Sequence, residues 1–196
     1  MQENRRNTVT LVLGGVRSGK SRYAQQLGEQ VERVLFVATA PASGSDDEMR
    51  AKIERHRTDR PADWVTVEEP VELARVLAEQ GAGYDLAIVD CLTLFVANLL
   101  HAEEQNGGTL DLQTNALCAA LAAAPCDVAL VSNEVGSGVV PAYALGRRFR
   151  DALGELNQQV AAVADDVLLL VAGLPLALKG KVVTRKTAGA ETAVRA

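Results

Sequence analysis

The sequence predicts an α/β fold in which a mostly parallel central sheet lies between two layers of helices. Two observations support this prediction. Short apolar runs that are typical of buried strands alternate with longer amphipathic segments, and strands that alternate with helices form parallel sheets. In addition, a glycine-rich loop at residues 14–21, GGVRSGKS, joins the first apolar run to the first helical pattern.

The elements follow from the hydrophobic periodicity and from the positions of glycine and proline. The predicted strands are residues 8–13, 34–38, 64–67, 86–89, 127–132 and 167–172, the last of which we expect to end the core. The predicted helices are residues 21–31, 46–57, 71–80, 111–124 and 143–164. Residues 101–111 are predicted to form an exposed loop. We expect a flexible arm at 1–7, one catalytic domain at 8–180 and a loosely ordered tail at 181–196.

Composition limits the class of protein. A chain of 196 residues suits a single domain, and its net charge of −5 argues against a general nucleic-acid partner. The three cysteines have neither metal-ligand nor CxxC spacing, which fits a reducing cytoplasm. Apolar runs of the ~18–20 residues that a membrane helix needs do not occur. We therefore expect a cytoplasmic protein without a membrane span or a nucleic-acid partner.

The loop at residues 14–21 matches the complete phosphate-binding pattern G-x-x-x-x-G-K-[ST] between a strand and a helix. Gly14, Gly15 and Gly19 let the main chain approach phosphate oxygens closely, and the loop amides supply positive partial charge. Lys20 is expected to reach the β- and γ-phosphates, and the Ser21 hydroxyl to bind Mg²⁺. The chain is therefore predicted to bind a nucleoside triphosphate as a P-loop NTPase of the RecA-like class.

Asp90 directly follows a predicted strand of four apolar residues. An acidic residue at this place in a P-loop protein positions Mg²⁺, usually through water. The alternative is a surface aspartate that caps the following segment, 91–100. The phosphate loop upstream favours the magnesium role.

Two other patterns leave the type of P-loop protein open. Residues 133–136 do not match the N-K-x-D motif of GTPases, and the D-x-x-G at 151–154 falls inside a predicted helix. Arg147, Arg148 and Arg150 either form a lid over a transferred phosphate or belong to a solvated helix face.

The segment 46–64 contains His56, one of only two histidines, among Arg55, Arg57 and Arg60. Nearby cations disfavour the protonated imidazole, so that the ring stays neutral and nucleophilic, and they attract phosphates. The alternative is an exposed polar residue near the end of a helix. Composition alone favours that alternative.

Several blocks in order resemble one family. They are GGVRSGKS, then D-D-E-M with I-x-x-H and R-P-A-x-W, then VDCLTLFVANLL, NEVGSGVVP, and R-R-F-R-D followed by N-Q. Together they resemble the bifunctional adenosylcobinamide kinase/adenosylcobinamide-phosphate guanylyltransferase family of cobalamin biosynthesis. The resemblance extends from about residue 9 to residue 179.

This resemblance implies two reactions at one nucleotide site. In the first, the γ-phosphoryl group of ATP or GTP passes to the aminopropanol hydroxyl of adenosylcobinamide. In the second, a histidine attacks the α-phosphorus of GTP, and adenosylcobinamide phosphate then takes the GMP to give adenosylcobinamide-GDP. His56 matches the family's histidine, whereas His101 lies outside the motif.

The resemblance also implies the site residues, a homotrimer, and Mg²⁺ with GTP and ATP as substrates. The catalytic residues are His56 and Lys20, and the metal ligands are Ser21 and Asp90. Glu134, Arg147 and Arg150 are candidates for corrinoid binding, although Glu134 could equally orient its loop. The implied nucleotide contacts are Gly14, Gly15, Val16, Arg17, Ser18, Gly19, Lys20, Ser21, Thr39, Ala40, Pro41, Thr58, Asp59, Arg60, Pro61, Glu68 and Asp90.

Two other functions compete with this interpretation. The chain could be a P-loop kinase of another small metabolite in which His56 is structural, and would then form no protein-bound nucleotide. It could also be a nucleotide-binding regulator with negligible turnover. The histidine segment favours the bifunctional transferase over both.

Overall fold

The structure is a computed structural model that describes residues 7–40 and 60–182. Its strands form a sheet of seven in the order β3-β2-β4-β5-β1-β6-β7. The strands are β1 (Val9–Gly14), β2 (Val34–Ala38), β3 (Val65–Glu68), β4 (Leu86–Asp90), β5 (Asp127–Asn133), β6 (Asp166–Val171) and β7 (Leu174–Lys179). All neighbouring strands are parallel except the pair of β6 and β7.

Helices cover both faces of this sheet. The helices are α1 (Lys20–Gly28), α2 (Leu73–Gln80), α3 (Leu92–Asn106), α4 (Leu110–Ala122) and α5 (Ala144–Val163), with a short 3₁₀ turn at Gly81–Gly83. Helix α1 packs on one face through Tyr23 and Ala24, and the largest buried apolar cluster joins the other four helices to the opposite face. The predicted three-layer α/β fold is confirmed.

The strand order places β5 between the P-loop strand β1 and the strand β4 that ends in Asp90. This order is the one expected of the RecA-like class. The apolar residues of β1, β4 and β5 are almost completely buried, because helices cover both faces of the parallel sheet. Within the described residues, the predicted strands and helices recur within a few residues of their expected bounds, and the D-x-x-G at 151–154 does lie inside α5.

The predicted loop at 101–111 is wrong for its first half. Helix α3 continues through His101 to Asn106, since Ala102, Glu103, Glu104 and Gln105 are good helix formers. It ends where Gly107 and Gly108 adopt positive φ angles of 75° and 67°.

The prediction that the core ends with the strand at 167–172 is also incomplete. An antiparallel edge strand, β7, follows β6 after a two-residue turn. Ala172 and Gly173 both have positive φ, as a tight hairpin turn requires. Pro175, the second residue of β7, obscured the strand pattern, but proline is tolerated on an edge strand.

Three regions for which the sequence makes predictions lie wholly or partly outside the described residues. The predicted helix at 46–57 lies outside them, as do residues 1–6 of the arm and 183–196 of the tail. The side chain of Asn7, the last residue of the predicted arm, donates a hydrogen bond to the Ala124 carbonyl at 2.9 Å. Among the described helices, none has the length and apolar character needed to cross a membrane.

The end of α1 packs unusually closely on the sheet. A Cβ atom at Gly28 would lie 2.5 Å from two ring atoms of Trp64 and 3.1 Å from Ile88 Cδ1. Trp64 in turn stacks on Phe36, with 6.3 Å between ring centroids. Glycine at this position therefore lets the P-loop helix lie against the aromatic pair.

We expect the substitution Gly28→Ala to lower the free energy of unfolding by about 1–3 kcal/mol, because the added methyl group overlaps the Trp64 ring. The matched control is Gly154→Ala in α5, where a Cβ atom would have nothing within 4 Å. The control should raise stability by roughly 0.5–1 kcal/mol, since alanine is the better helix former. Urea denaturation of both variants measures the difference, and equal effects would contradict the packing account.

Candidate functional site

Several of the predicted site residues lie at the carboxyl ends of the parallel strands. In the strand register, Ala38 is aligned with both Glu68 and Asp90, so that β2, β3 and β4 end side by side. Gly14, at the end of β1, is aligned with Asn133 at the end of β5. This edge holds the carboxyl ends of parallel strands, where ligands bind in open α/β sheets.

The P-loop has the backbone conformation that its glycines predict. Gly14 and Gly19 have φ angles of 154° and 100°, and Arg17 has the left-handed value of 57°. The Lys20 ammonium group is mostly buried and donates a hydrogen bond of 2.6 Å to the Gly15 carbonyl within the same loop. Lys20 also lies 3.5 Å from Ser18 Oγ. The loop is therefore wrapped around its own lysine, with the exposed Gly15–Arg17 at its tip.

The β6–β7 hairpin supports the P-loop from the side. The Gly173 N–H donates to the Ser18 carbonyl at 2.9 Å. A Cβ atom at Gly19 would lie 3.2 Å from the Gly173 Cα, and one at Gly14 would lie 2.5 Å from the Leu170 carbonyl oxygen. Glycine at positions 14 and 19 therefore lets the P-loop backbone lie close to β6 and to the β6–β7 turn. This is in addition to the close approach to phosphate that the sequence predicts.

The segment after β2 is tied to the segment after β4. The Thr39 hydroxyl, which is fully buried, donates to the Cys91 carbonyl and accepts from the Cys91 N–H, each at 2.8 Å. The side-chain amide of Asn98 in α3 donates to the Thr39 carbonyl at 2.8 Å and to the Pro70 carbonyl at 3.1 Å. These bonds therefore fix the positions of Thr39 and Asp90, which are both predicted site residues, relative to each other.

Glu68 and Arg60 lie toward the β3 side of the sheet. Glu68 ends β3 and is exposed, whereas Glu69 is buried and accepts from the N–H groups of Val71 and Glu72, in the segment that leads into α2. The Arg60 guanidinium lies over the Phe36 ring, 3.7 Å from its centroid. This cation–π contact fixes Arg60 over the middle of β2, and the neighbouring Pro61 is partly exposed.

The thiol beside Asp90 is poorly suited to act as a nucleophile. Burial, together with the neighbouring Asp90 charge, raises the pKa of Cys91. A neutral thiol is a weak nucleophile. A covalent intermediate would therefore need a different residue.

Ser21 and Asp90 provide oxygen ligands, which Mg²⁺ prefers. In the described residues there is no group of three or more histidine, cysteine or acidic side chains that could enclose a metal ion. Mg²⁺ in nucleotide sites is commonly held by one or two protein oxygens, with phosphates and water completing its coordination. The residues present thus fit a magnesium ion that arrives with the nucleotide.

Several predicted contacts cannot be placed. Pro41, His56, Thr58 and Asp59 lie outside the described residues. Of the two histidines, only His101 is described, and it is an exposed residue of α3, 3.0 Å from the Gln105 amide nitrogen. The structure thus brings together the P-loop, Thr39, Ala40, Glu68 and Asp90, and leaves the position of His56 untested.

The three arginines at the start of α5, of which Arg147 and Arg150 are also candidate corrinoid contacts, have partners within the protein. Arg147 donates to the Pro141 and Ala142 carbonyls at 3.0 and 2.7 Å, and Arg148 pairs with Glu103 of α3. Arg150 pairs with its neighbour Asp151 at 3.1 Å. These contacts favour the solvated-face alternative over a phosphate lid.

Glu134 has a local partner too, because one of its carboxylate oxygens accepts from the Gly136 N–H at 2.5 Å. The Glu134 N–H donates to the Gly14 carbonyl at 3.1 Å, which fixes the start of this loop against the P-loop. These bonds favour a role in orienting the loop. A cleft of about 430 Å³ lies beside it, between α5 and strands β1, β6 and β7.

The sequence interpretation missed three kinds of residue at the site. Asn98 is a polar residue within the apolar run 92–100, which could have marked it as a hydrogen-bonding group at the end of the sheet. The hairpin residues Ala172 and Gly173 were missed because β7 was missed. Thr93 is a third case, since its hydroxyl accepts from the Asn133 N–H at 3.1 Å and so ties α3 to the end of β5.

The fold and this loop define the class of the protein: it is a P-loop nucleotide-binding α/β domain of RecA-like topology. Residues 10–178 match the model of the family described as cobinamide kinase / cobinamide phosphate guanyltransferase. The chain belongs to that family.

The relatives cover almost the full domain. The bifunctional adenosylcobalamin biosynthesis protein CobP of Pseudomonas aeruginosa is 45% identical over 172 residues, which is 87% of this chain and 97% of that protein. The proteins named CobU, which share the same description, are 39% identical in Escherichia coli and 40% in Salmonella typhimurium. Each of these two alignments covers 86% of this chain and 98% of the relative.

Among solved structures, the chain is similar to the P4 protein of bacteriophage phi6 in complex with ADP. The TM-score is 0.44 at 18% identity, covering 89% of this chain and 55% of that one. This likeness is too weak to bear on ligand or function.

We expect Gly14→Ala to weaken binding of both GTP and ATP, because its Cβ atom would overlap the Leu170 carbonyl and Ser18 Oγ at 2.5 and 2.6 Å. The P-loop would have to move to relieve this overlap. Equilibrium binding of a fluorescent GTP analogue, with ATP as competitor, measures the effect. Gly83→Ala is the control, since a Cβ atom there has nothing within 4 Å. Unchanged affinity in Gly14→Ala would show that the loop tolerates a side chain.

Proposed function

We propose that this protein phosphorylates adenosylcobinamide and then converts the product to adenosylcobinamide-GDP, as a bifunctional transferase of cobalamin biosynthesis. The observation that supports this function best is the family match over residues 10–178, which includes an intact P-loop. The curated relatives named above are themselves called bifunctional adenosylcobalamin biosynthesis proteins.

In the kinase step, the acceptor hydroxyl oxygen attacks the γ-phosphorus of ATP or GTP. The bond from that phosphorus to the β–γ bridging oxygen breaks, the nucleoside diphosphate leaves, and the hydroxyl proton passes to a base. The P-loop amides and Lys20 stabilise the charge that develops on the phosphate oxygens. Lys20 would exchange its bond to the Gly15 carbonyl for contacts with phosphate.

In the nucleotidyl step, an imidazole nitrogen of His56 attacks the α-phosphorus of GTP, and pyrophosphate leaves as the α–β bridging bond breaks. A phosphate oxygen of adenosylcobinamide phosphate then attacks the same phosphorus, and the phosphorus–nitrogen bond breaks. Histidine suits this role because its neutral ring is nucleophilic at pH 7 and can leave again. The assignment of His56 is supported by its motif, and its position lies outside the described residues.

Mg²⁺, when bound with the triphosphate, would neutralise phosphate charge. Ser21 and Asp90 are the residues that would hold it, Ser21 in the first turn of α1 and Asp90 at the end of β4. Thr39, Ala40, Pro41, Thr58, Asp59, Arg60, Pro61 and Glu68 would contact the nucleotide beyond its phosphates. A cytoplasmic location, predicted from the cysteine spacing, completes the proposal.

The decisive experiment follows the α-phosphate. We expect protein incubated with Mg²⁺ and GTP labelled at the α-phosphate, without corrinoid, to retain label after denaturation. The bond should be labile in acid and stable in alkali, as a phosphoramidate is. Label from the γ-phosphate should not be retained, because it leaves with pyrophosphate.

The variants His56→Ala and His101→Ala form a matched pair for this experiment. His56→Ala should abolish labelling, whereas His101→Ala should keep it, since His101 is an exposed residue of α3. If the wild-type protein binds GTP but retains no α-label, the guanylyltransferase half of the function is wrong, and a plain kinase or a nucleotide-binding module remains.

We also propose a homotrimer, as the resemblance implies. The edge strand β7 offers a surface for contacts between subunits, because one of its edges has no neighbouring strand among the described residues. Its outward leucines are exposed: Leu174 by 73%, Leu176 by 58% and Leu178 by 57%. Burial of such a row would favour association.

We expect Leu176→Glu to reduce the assembly to smaller species, since a charge would be buried at the contact. Size-exclusion chromatography with light scattering measures the molar mass. Leu112→Glu in α4 is the control, because Leu112 is 65% exposed on a helix rather than on β7 and its substitution should leave the assembly intact. A trimer that persists in Leu176→Glu would exclude β7 from the interface, and a monomeric wild type would overturn the trimer itself.

A further inference from the structure

Asn98 is a polar residue on a helix that is otherwise anchored by apolar side chains. Its neighbours in α3, Phe95, Val96 and Leu99, are fully buried in the largest apolar cluster. Asn98 instead turns its side-chain amide toward the carboxyl edge of the sheet, where the candidate nucleotide site lies. An apolar residue at this place would leave two backbone carbonyls without this donor, at a cost in desolvation.

The two carbonyls belong to two separate segments of the site. One is that of Thr39, which directly follows β2, and the other is that of Pro70, two residues beyond Glu68 at the end of β3. The amide nitrogen lies 2.8 and 3.1 Å from them, so both hydrogens of one NH₂ group are used. Asn98 therefore bridges the connection after β2 and the connection after β3.

Thr39 has a second tie, to the segment that follows Asp90. Its hydroxyl makes the reciprocal pair of 2.8 Å bonds with the Cys91 backbone, and its N–H donates to the Asp90 carbonyl at 3.2 Å. Thr39 is fully buried, so these bonds are shielded from water. We call Thr39, Cys91 and Asn98 the strand-end clamp. It joins the ends of β2, β3 and β4, which lie side by side in the sheet.

We propose that Asn98 is a positioning residue for the nucleotide, which sets the spacing between the segment at Thr39 and the segment at Glu68. This inference rests on the proposed function, in which both segments contact GTP. Without the Asn98 amide, the connections after β2 and β3 lose the side chain that hydrogen-bonds to both of them. Nucleotide binding would then have to fix the positions of these two segments, which would weaken the affinity. Such a loss weakens ground-state and transition-state binding together, so it raises KM more than it lowers kcat.

The test uses Asn98→Ala and Asn98→Asp in the full-length protein. The aspartate keeps the size of the side chain but replaces the NH₂ donor with an acceptor. In the kinase assay, we expect the KM for GTP to rise roughly tenfold in each variant, as the loss of about one hydrogen bond predicts, with kcat within about threefold of wild type. The KM for adenosylcobinamide should stay unchanged. The Kd of a fluorescent GTP analogue should rise in parallel, which provides a readout independent of turnover.

A matched control separates positioning from general destabilisation. Thr114→Ala removes a buried hydroxyl that donates to the Asp111 carbonyl within α4, away from the strand ends. Urea denaturation of all three variants measures their stability, and Thr114→Ala should leave the KM and Kd for GTP unchanged even where its loss of stability is similar.

Three outcomes would overturn the inference. They are an unchanged KM and Kd for GTP in both Asn98 variants, a fall in kcat alone, or an equal rise of KM in Thr114→Ala. If both Asn98 variants are too unstable for the kinase assay, a stabilising osmolyte is added to keep them folded. The Kd of the fluorescent GTP analogue, measured on the folded protein, then decides between the same outcomes. A wild-type protein that binds GTP but lacks kinase activity would contradict the proposed function, while the Kd comparison would still decide the role of Asn98.

Discussion

The close packing of the P-loop against its neighbouring strands is the constraint on which the site depends. Gly14 is the last residue of β1, and a side chain there would overlap the Leu170 carbonyl of β6. On the opposite side, the Gly14 carbonyl accepts from the Glu134 N–H after β5. Gly173 adds a bond to Ser18 from the β6–β7 turn. The phosphate loop is thus enclosed by backbone from both neighbours, and only glycine leaves room for that backbone. In the strand register, Gly14 is aligned with Asn133 of β5 and with Leu170 of β6.

A second set of contacts organises the other half of the site, one strand further along the sheet. Thr39, Cys91 and Asn98 join the ends of β2 and β4 with polar side chains, where the P-loop side uses glycines. The two halves flank β5, so a triphosphate held by the P-loop extends toward Thr39 and Glu68 under the proposed function. That function requires chemistry at the γ-phosphorus and at the α-phosphorus of one nucleotide. A site with two separately fixed halves suits this requirement, because neither reaction needs the phosphate cradle to be rebuilt.

Several charged side chains near the site are already engaged in hydrogen bonds or ion pairs within the protein, which limits their availability for substrate binding. From the sequence alone, three arginines at the start of α5 fit either a phosphate lid or a solvated helix face. In the structure, one donates to the carbonyls of the preceding loop, and the others pair with Glu103 and Asp151. Glu134 is similar, since its carboxylate binds the backbone of its own loop. These groups shape the loop between β5 and α5. They would have to break existing bonds before they could bind a substrate.

The sequence by itself determined the fold class, the P-loop and the family, because each depends on local order along the chain. A glycine pattern between a strand and a helix, and apolar runs of strand length, keep their meaning without tertiary context. The sequence also placed Asp90 and Thr39 at strand ends. It did not reveal β7, whose proline breaks the strand pattern, or the second half of α3, whose polar residues resemble a loop. Only the tertiary structure decided that Asn98 joins two site segments and that the β6–β7 turn supports the P-loop. Those roles depend on which backbone atoms lie within hydrogen-bonding distance across 28 to 155 residues of chain, a relation that no local pattern encodes.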